Sequence, residues 1–211
     1  KFAGVSATPI LIDTLDADEF IETVIRLSKT FGGIHLEDIR IPECFKIEAE
    51  LRRRLKKPVM HDDQHGTAVV TLAALINACR VTGLDLRNAK VAQVGLGAAG
   101  SAIARLAIAY GAKSVMVTDV NADMVSRLVE DGAQASTLDA IMATADIFVL
   151  VGTSLQVYPA AGLIHYLDAS VPKYVIDKKI PPVGGISNLT LIEKPATEGI
   201  TELLALISPG H

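Results

Sequence analysis

Short β-branched runs alternate with amphipathic segments along most of the chain, the pattern of βα units that feed a mostly parallel sheet. "ATPILIDT" (residues 7–14) predicts a buried strand, and "DADEFIETVIRLSKT" (16–30) a helix capped by Asp16, with Phe20, Val24, Ile25 and Leu27 near helical spacing. A second strand, "GGIHLED" (32–38), a helix, "ECFKIEAELRRRL" (43–55), opened by Pro42, and a third strand, "KPVMHDD" (57–63), follow. "GTAVVTLAALINACRVTG" (66–83) is apolar on nearly every side and closes at Gly83, which predicts a helix buried between layers. A fresh βα series begins at "AKVAQVGLGAAGSAIARLAIAYGA" (89–112) and runs through the strand "SVMVTD", the helical "NADMVSRLVED" and the strand "ADIFVLVGT" (145–153). The last part holds a helix near "AAGLIHYL", a strand "KYVID", a loop rich in Pro and Gly, a short strand "LTLIEK" and a closing helix "TEGITELLALI". The fold class these imply is α/β, a Rossmann-like, mostly parallel sheet with an N-terminal βαβαβ segment. The expected division is residues 1–65 as a metal- and substrate-type segment and 66–211 as the dinucleotide-type domain.

Composition narrows the partners. With 211 residues, half of them apolar, the chain can build a real core. A formal charge of −4 and a pI near 5.7 give no basic excess for nucleic acid or anionic membranes. Cys44 and Cys79 stand alone with no CxxC spacing, so neither a zinc knuckle nor a disulfide framework is indicated, and a reducing cytoplasmic setting fits. No export signal or membrane span is read from the sequence. A homodimer is allowed, should the N-terminal segment leave an apolar face uncovered.

Two stretches carry chemistry. "VAQVGLGAAGSAIARL" sets Gly95, Gly97 and Gly100 in GxGxxG spacing between a strand and a helix, the arrangement that lets backbone approach a pyrophosphate at a helix entrance formed by Ala98 and Ala99. Asp119 ends the next strand, 19 positions past Gly100, where a carboxylate accepts hydrogen bonds from a ribose and repels the 2′-phosphate of NADP. NAD is therefore the expected cofactor and a dinucleotide the expected partner. The other reading is a Gly-rich turn with Asp119 capping the helix near Asn121.

The second stretch is "HDDQHGTAVV" (61–70), two histidines and two carboxylates at the mouth of an apolar segment. Glu37 and Asp38 end one predicted strand, Asp62 and Asp63 the next, and a parallel sheet gathers such ends at one edge. Hard oxygen donors there suit Mg²⁺ or Mn²⁺. A zinc pair from His61 and His65 lacks a third soft ligand. Helix capping by Asp62 or Asp63 explains the spacing equally well.

"FGGIHLEDIRIPECFKIEAELRRRLKKPVMHDDQHGTAVVTLAALINACRVTG", with "VGLGAAG" after it, closely resembles the bacterial type of malic enzyme, from about residue 2 to about residue 145. The resemblance implies that Glu37, Asp38 and Asp63 hold a divalent metal, with Asp62 beside them, and that the metal polarises the keto group formed when NAD(P) oxidises malate. That family's catalytic tyrosine and lysine belong to sequence upstream of this chain's start, and its downstream asparagine-containing segments find no match after residue 150. There "ADIFVLVGTSLQVYPAAGLIHYL" resembles the C-terminal part of a sirtuin, which implies NAD ribose contacts at Gly152, Thr153 and Ser154. These two resemblances lead to the expectation of an engineered chimera joined near residues 143–150 that binds NAD without turnover. The alternatives are a truncated malate oxidoreductase using NAD and Mg²⁺ or Mn²⁺, and a structural chain with no ligand. Tyr158, Tyr166 and Tyr174 are expected to be partly buried with satisfied hydroxyls, Lys178 and Lys179 a solvated pair, and His165 a core-edge residue with one hydrogen bond.

Overall fold

The computed structural model describes residues 4–144, 148–151 and 160–207. Helix α1 (Ala17–Leu27) starts as expected: the Asp16 carboxylate accepts from the N–H groups of Asp18 (2.8 Å) and Glu19 (2.9 Å). Strand β1 (Ile34–Leu36), helix α2 (Glu43–Arg54) and strand β2 (Val59–His61) form a βαβ unit, with β1 and β2 parallel and His35 opposite Met60. Ile21 and Val24 of α1, Ile47 and Leu51 of α2, and Leu36 of β1 close one apolar cluster beneath this pair.

Two expectations fail here. Residues 7–14 form no strand: they run extended and unpaired, with Leu11 99% exposed, so the sheet of this segment has two described strands rather than three. Apolar alternation predicts which side a strand buries but does not supply the neighbour that its backbone must pair with. Helix α3 (Thr67–Thr82), closed by Gly83 in the left-handed region, is not buried between layers. It packs on α4 (Ala98–Tyr110) and on the turn Asp62–Gly66, while Val69 and Val70 on the far side are 58% and 64% exposed. An apolar stretch without a polar stripe marks no side as inward, and Val69 and Val70 are the described residues left outward.

The second series follows the reading, with two elements it did not contain, the short strand Gln134–Ala135 and the helix Leu138–Ala143. Strands β3 (Lys90–Val94), β4 (Ser114–Thr118) and β5 (Gln134–Ala135) form a parallel sheet in that order, with α4 and α5 (Ala122–Glu130) as crossovers. The short α6 (Leu138–Ala143) precedes a second parallel sheet, β6 (Phe148–Val151), β7 (Lys173–Asp177) and β8 (Leu189–Glu193). Helix α7 (Ala160–Leu163) joins β6 to β7, and α8 (Ala196–Ile207) packs on β7 and β8. The two sheets share a core: Ile141, Met142 and Leu167 are buried together, with Val94 and Met116 from the first sheet packed against them. All strand pairs are parallel, the α/β architecture expected. His165 and Tyr166 lie exposed, contrary to the core-edge placement expected of the histidine and the partial burial expected of the tyrosine.

Candidate dinucleotide site and acidic edge

The glycine turn between β3 and α4 is built for close backbone approach. Gly95 sits at φ 85°, a conformation that side chains disfavour, and a Cβ at Gly100 would overlap the Gly95 carbonyl. Gly97 is the N-cap of α4 and offers no side-chain oxygen, so the first-turn amides of Ala98, Ala99 and Gly100 are left without an intrahelical partner. The helix end is partly positive and aims at the space above the turn. Ser101 steadies the turn, donating its hydroxyl to the Leu96 carbonyl at 2.7 Å.

Asp119 stands at the end of β4, half-buried beside this turn. Its Oδ2 accepts from the Leu96 N–H, and its Oδ1 from the Asn121 N–H at 2.8 Å. The cap of α5 is Asn121, whose side chain accepts from the Asp123 N–H at 3.0 Å. Asp119 is thus held across the glycine turn and is not itself the cap. Each carboxylate oxygen keeps a further lone pair for a ribose hydroxyl. One side chain intrudes: a Cβ at Gly97 would lie 3.3 Å from Ile41 Cδ1, so the approach that Gly97 permits is taken by the Ile41 methyl. Ile41 is 48% exposed on the loop between β1 and α2.

That loop opens with the acidic edge. Asp38 is at φ 56° and donates its backbone N–H to Asp63 Oδ2 at 3.1 Å, which brings the two residues together. Glu37 faces elsewhere: His35 Nε2 stands 4.0 Å from Glu37 Oε2 and 4.0 Å from Asp62 Oδ1. The donor set is hard oxygen, as Mg²⁺ or Mn²⁺ prefers, but among the described residues no three or more acidic, histidine or cysteine side chains converge to hold a metal. The arrangement of Glu37, Asp38 and Asp63 therefore does not fit a cation as it stands.

The two histidines do not share a ligand either. His65 Nε2 meets Glu48 Oε1 at 2.7 Å, whereas the wholly buried His61 ring lies 3.8 Å from Asp63 Oδ2 with no hydrogen bond to either nitrogen. Glu48 is the residue that sequence reading missed. Buried on α2, it also accepts from Gln64 Nε2 (3.2 Å) and from the His61 N–H (3.3 Å), fixing the chain's path through "HDDQH". The available signal was its place among Cys44, Ile47 and Leu51 on the inward side of the helix, where a glutamate needs partners. Gly66 completes the turn, since a Cβ there would overlap the Asp62 carboxylate. Burial also pushes the Cys44 thiol upward. The expected ribose loop, Gly152, Thr153 and Ser154, lies outside the described residues, as does Tyr158.

A parallel α/β sheet with a glycine turn at a helix entrance and an acid at the next strand's end defines a dinucleotide-binding domain. Residues 55–155 match the NAD-binding domain of D-isomer-specific 2-hydroxyacid dehydrogenases, and residues 12–52 match the N-terminal domain of malic enzymes. The chain is 54% identical over 150 residues to NAD-dependent malic enzyme 1 of Bacillus subtilis, covering 71% of this chain and 34% of that protein. It is 42% identical over 164 aligned positions to the NADP-dependent malic enzyme of Escherichia coli, covering 71% of this chain and 21% of that one. The chain thus spans about a third or less of these curated relatives' length. The crystal structure of the NAD-dependent malic enzyme of Thermotoga maritima superposes with a TM-score of 0.66 at 28% identity, over 95% of this chain and 54% of that one. Since one malic enzyme structure accompanies nearly the whole chain, a hybrid of two families finds no support, and no sirtuin-like segment emerges.

Proposed function

We propose that this chain is the dinucleotide-binding part, with the adjoining acidic edge, of a malate oxidoreductase of the malic enzyme kind. The observation that carries the reading is the contact of Gly97 with Ile41: the helix entrance for a pyrophosphate abuts the loop that begins with Glu37 and Asp38. The relatives bearing malic enzyme names agree with it. NAD, when bound, would supply a hydride acceptor for the hydroxyl-bearing carbon of a 2-hydroxy acid. The amides of Ala98, Ala99 and Gly100 would hold its pyrophosphate and Asp119 would accept from a ribose hydroxyl, with Ile41 having to give way at Gly97. Glu37, Asp38 and Asp63 are the proposed carboxylates for a divalent cation. As arranged they do not converge, and no step of the reaction is assigned to a metal.

Calorimetric titration tests the reading. NAD binds, NADP binds at least about tenfold more weakly because Asp119 opposes its 2′-phosphate, and Asp119→Ala narrows that gap. Absence of NAD binding by the purified chain would overturn the proposal. Repeating the titration with Mn²⁺, on the parent chain and on Asp63→Ala, reads whether the acidic edge takes a cation. Malate with NAD and Mn²⁺, followed by NADH absorbance, reads turnover.

A further inference from the structure

Gly95 and Leu96, at the centre of the glycine turn, carry two carbonyls as well as two N–H groups, and an anion at the entrance of α4 is repelled by any carbonyl turned toward it. All four groups are tied elsewhere. Gly95 donates its N–H to the Thr118 carbonyl at 3.0 Å, and Leu96 donates its own to Asp119 Oδ2. The Leu96 carbonyl accepts the Ser101 hydroxyl at 2.7 Å. The Gly95 carbonyl accepts from Gln93 Nε2 at 3.1 Å, and the same nitrogen donates to the Val94 carbonyl, also at 3.1 Å. Both neighbours can only accept, so the amide end of Gln93 that faces them is its NH₂, with both hydrogens in use.

Gln93 thereby completes a clamp on one peptide unit. The Gly95–Leu96 peptide has its oxygen held by Gln93 and its N–H held by Asp119. Gly95, at φ 85°, has no side chain to restrict the rotation of that peptide, so the restraint has to come from neighbouring groups. The oxygen rests against Gly100, where a Cβ would overlap it, and Gln93 Nε2 lies 3.0 Å from the same point. The carbonyl is seated between Gln93 and Gly100.

We infer that Gln93 is a positioning residue of the dinucleotide site: by holding the Gly95 carbonyl in that seat, it keeps the turn from presenting an oxygen to the pyrophosphate, so the amides of Ala98, Ala99 and Gly100 act unopposed. The role rests on the dinucleotide reading above and adds to it a side chain outside the glycine motif. Gln93 can fill it because it stands two positions before Gly95 at the end of β3, within reach of the turn.

Titration of the parent chain, Gln93→Met and Gln93→Glu with NAD, and with adenosine, which has a ribose but no phosphate, tests the role. Both variants keep the reach of the side chain and, at neutral pH, remove its donors. NAD affinity is expected to fall about tenfold in Gln93→Met, and further in Gln93→Glu, whose carboxylate adds a like charge near the pyrophosphate. Adenosine affinity is expected to stay within about twofold of the parent, with thermal melts showing that both variants fold. General loosening of the site would instead weaken both ligands alike. If the variants bind NAD as the parent does, or lose NAD and adenosine equally, the role of Gln93 is overturned and the dinucleotide reading stands. A parent chain that takes up no NAD sinks that reading and this role with it.

Discussion

At the scale of single residues, the glycine turn is the most demanding place in the chain. Gly100 has no room for a methyl group beside the Gly95 carbonyl, so Gly100→Ala is expected to destabilise the protein by about 1–3 kcal/mol and to abolish NAD binding, read by thermal melts and calorimetry. Ile41→Ala should act in the opposite sense on the cofactor. Removing the methyl that rests against Gly97 spares NAD the cost of displacing it, and affinity is expected to rise by about 3- to 10-fold without loss of fold. Asp16 gives a pH-dependent signature. Backbone N–H groups of Glu19 and Asp18 hold its carboxyl below the ordinary value of 3.8, so the folded state binds its proton less readily than the unfolded chain does. Its contribution is therefore complete above that ordinary value and is lost as pH falls through the lowered one. Asp16→Asn keeps an acceptor for the cap without the titration, and acid unfolding curves are expected to show a smaller loss of stability below about pH 4 than in the parent chain.

At the scale of elements, boundaries written by local chemistry were readable and burial was not. Asp16 opening α1, Gly83 closing α3 and the glycine turn opening α4 all act through their own backbone neighbours, which a linear sequence displays. Helix α3 shows the limit. Its apolar surround gave no asymmetry from which to read an inward side, and in the structure it packs on α4 and on the turn Asp62–Gly66 while Val69 and Val70 stay exposed. Val70→Lys is thus expected to change stability by no more than about 0.5 kcal/mol in denaturant titration, whereas a buried position would lose several times that. The acidic edge follows the same logic. Strand ends placed Asp38 and Asp63 side by side, as sequence suggested, but among the described residues Glu37 does not join them in a cluster able to hold a cation.

Across the whole molecule, the two three-stranded sheets are joined by side chains distant in sequence. Met142 on α6 and Leu167 beyond α7 meet Val94 and Met116 from the first sheet, so Met142→Ala should cost about 2–5 kcal/mol and loosen both sheets together, measurable as one shifted unfolding transition. Lys173 plays a comparable part in the second sheet. Its buried ammonium donates to the carbonyls of Asp168 (2.7 Å), Val171 (2.8 Å) and Ser187 (3.3 Å), a role that nothing in "KYVID" announced because its partners lie in other loops. The sequence by itself determined the α/β alternation, the capped helix ends, the glycine turn and the resemblance to malic enzymes, since each is written in residues adjacent along the chain. Tertiary structure alone decided that Glu48 governs the "HDDQH" turn, that Ile41 stands over Gly97, and that β1 keeps an open edge. Those are contacts between segments, and a contact depends on which surfaces compete for each side chain and each peptide group once the chain is compact.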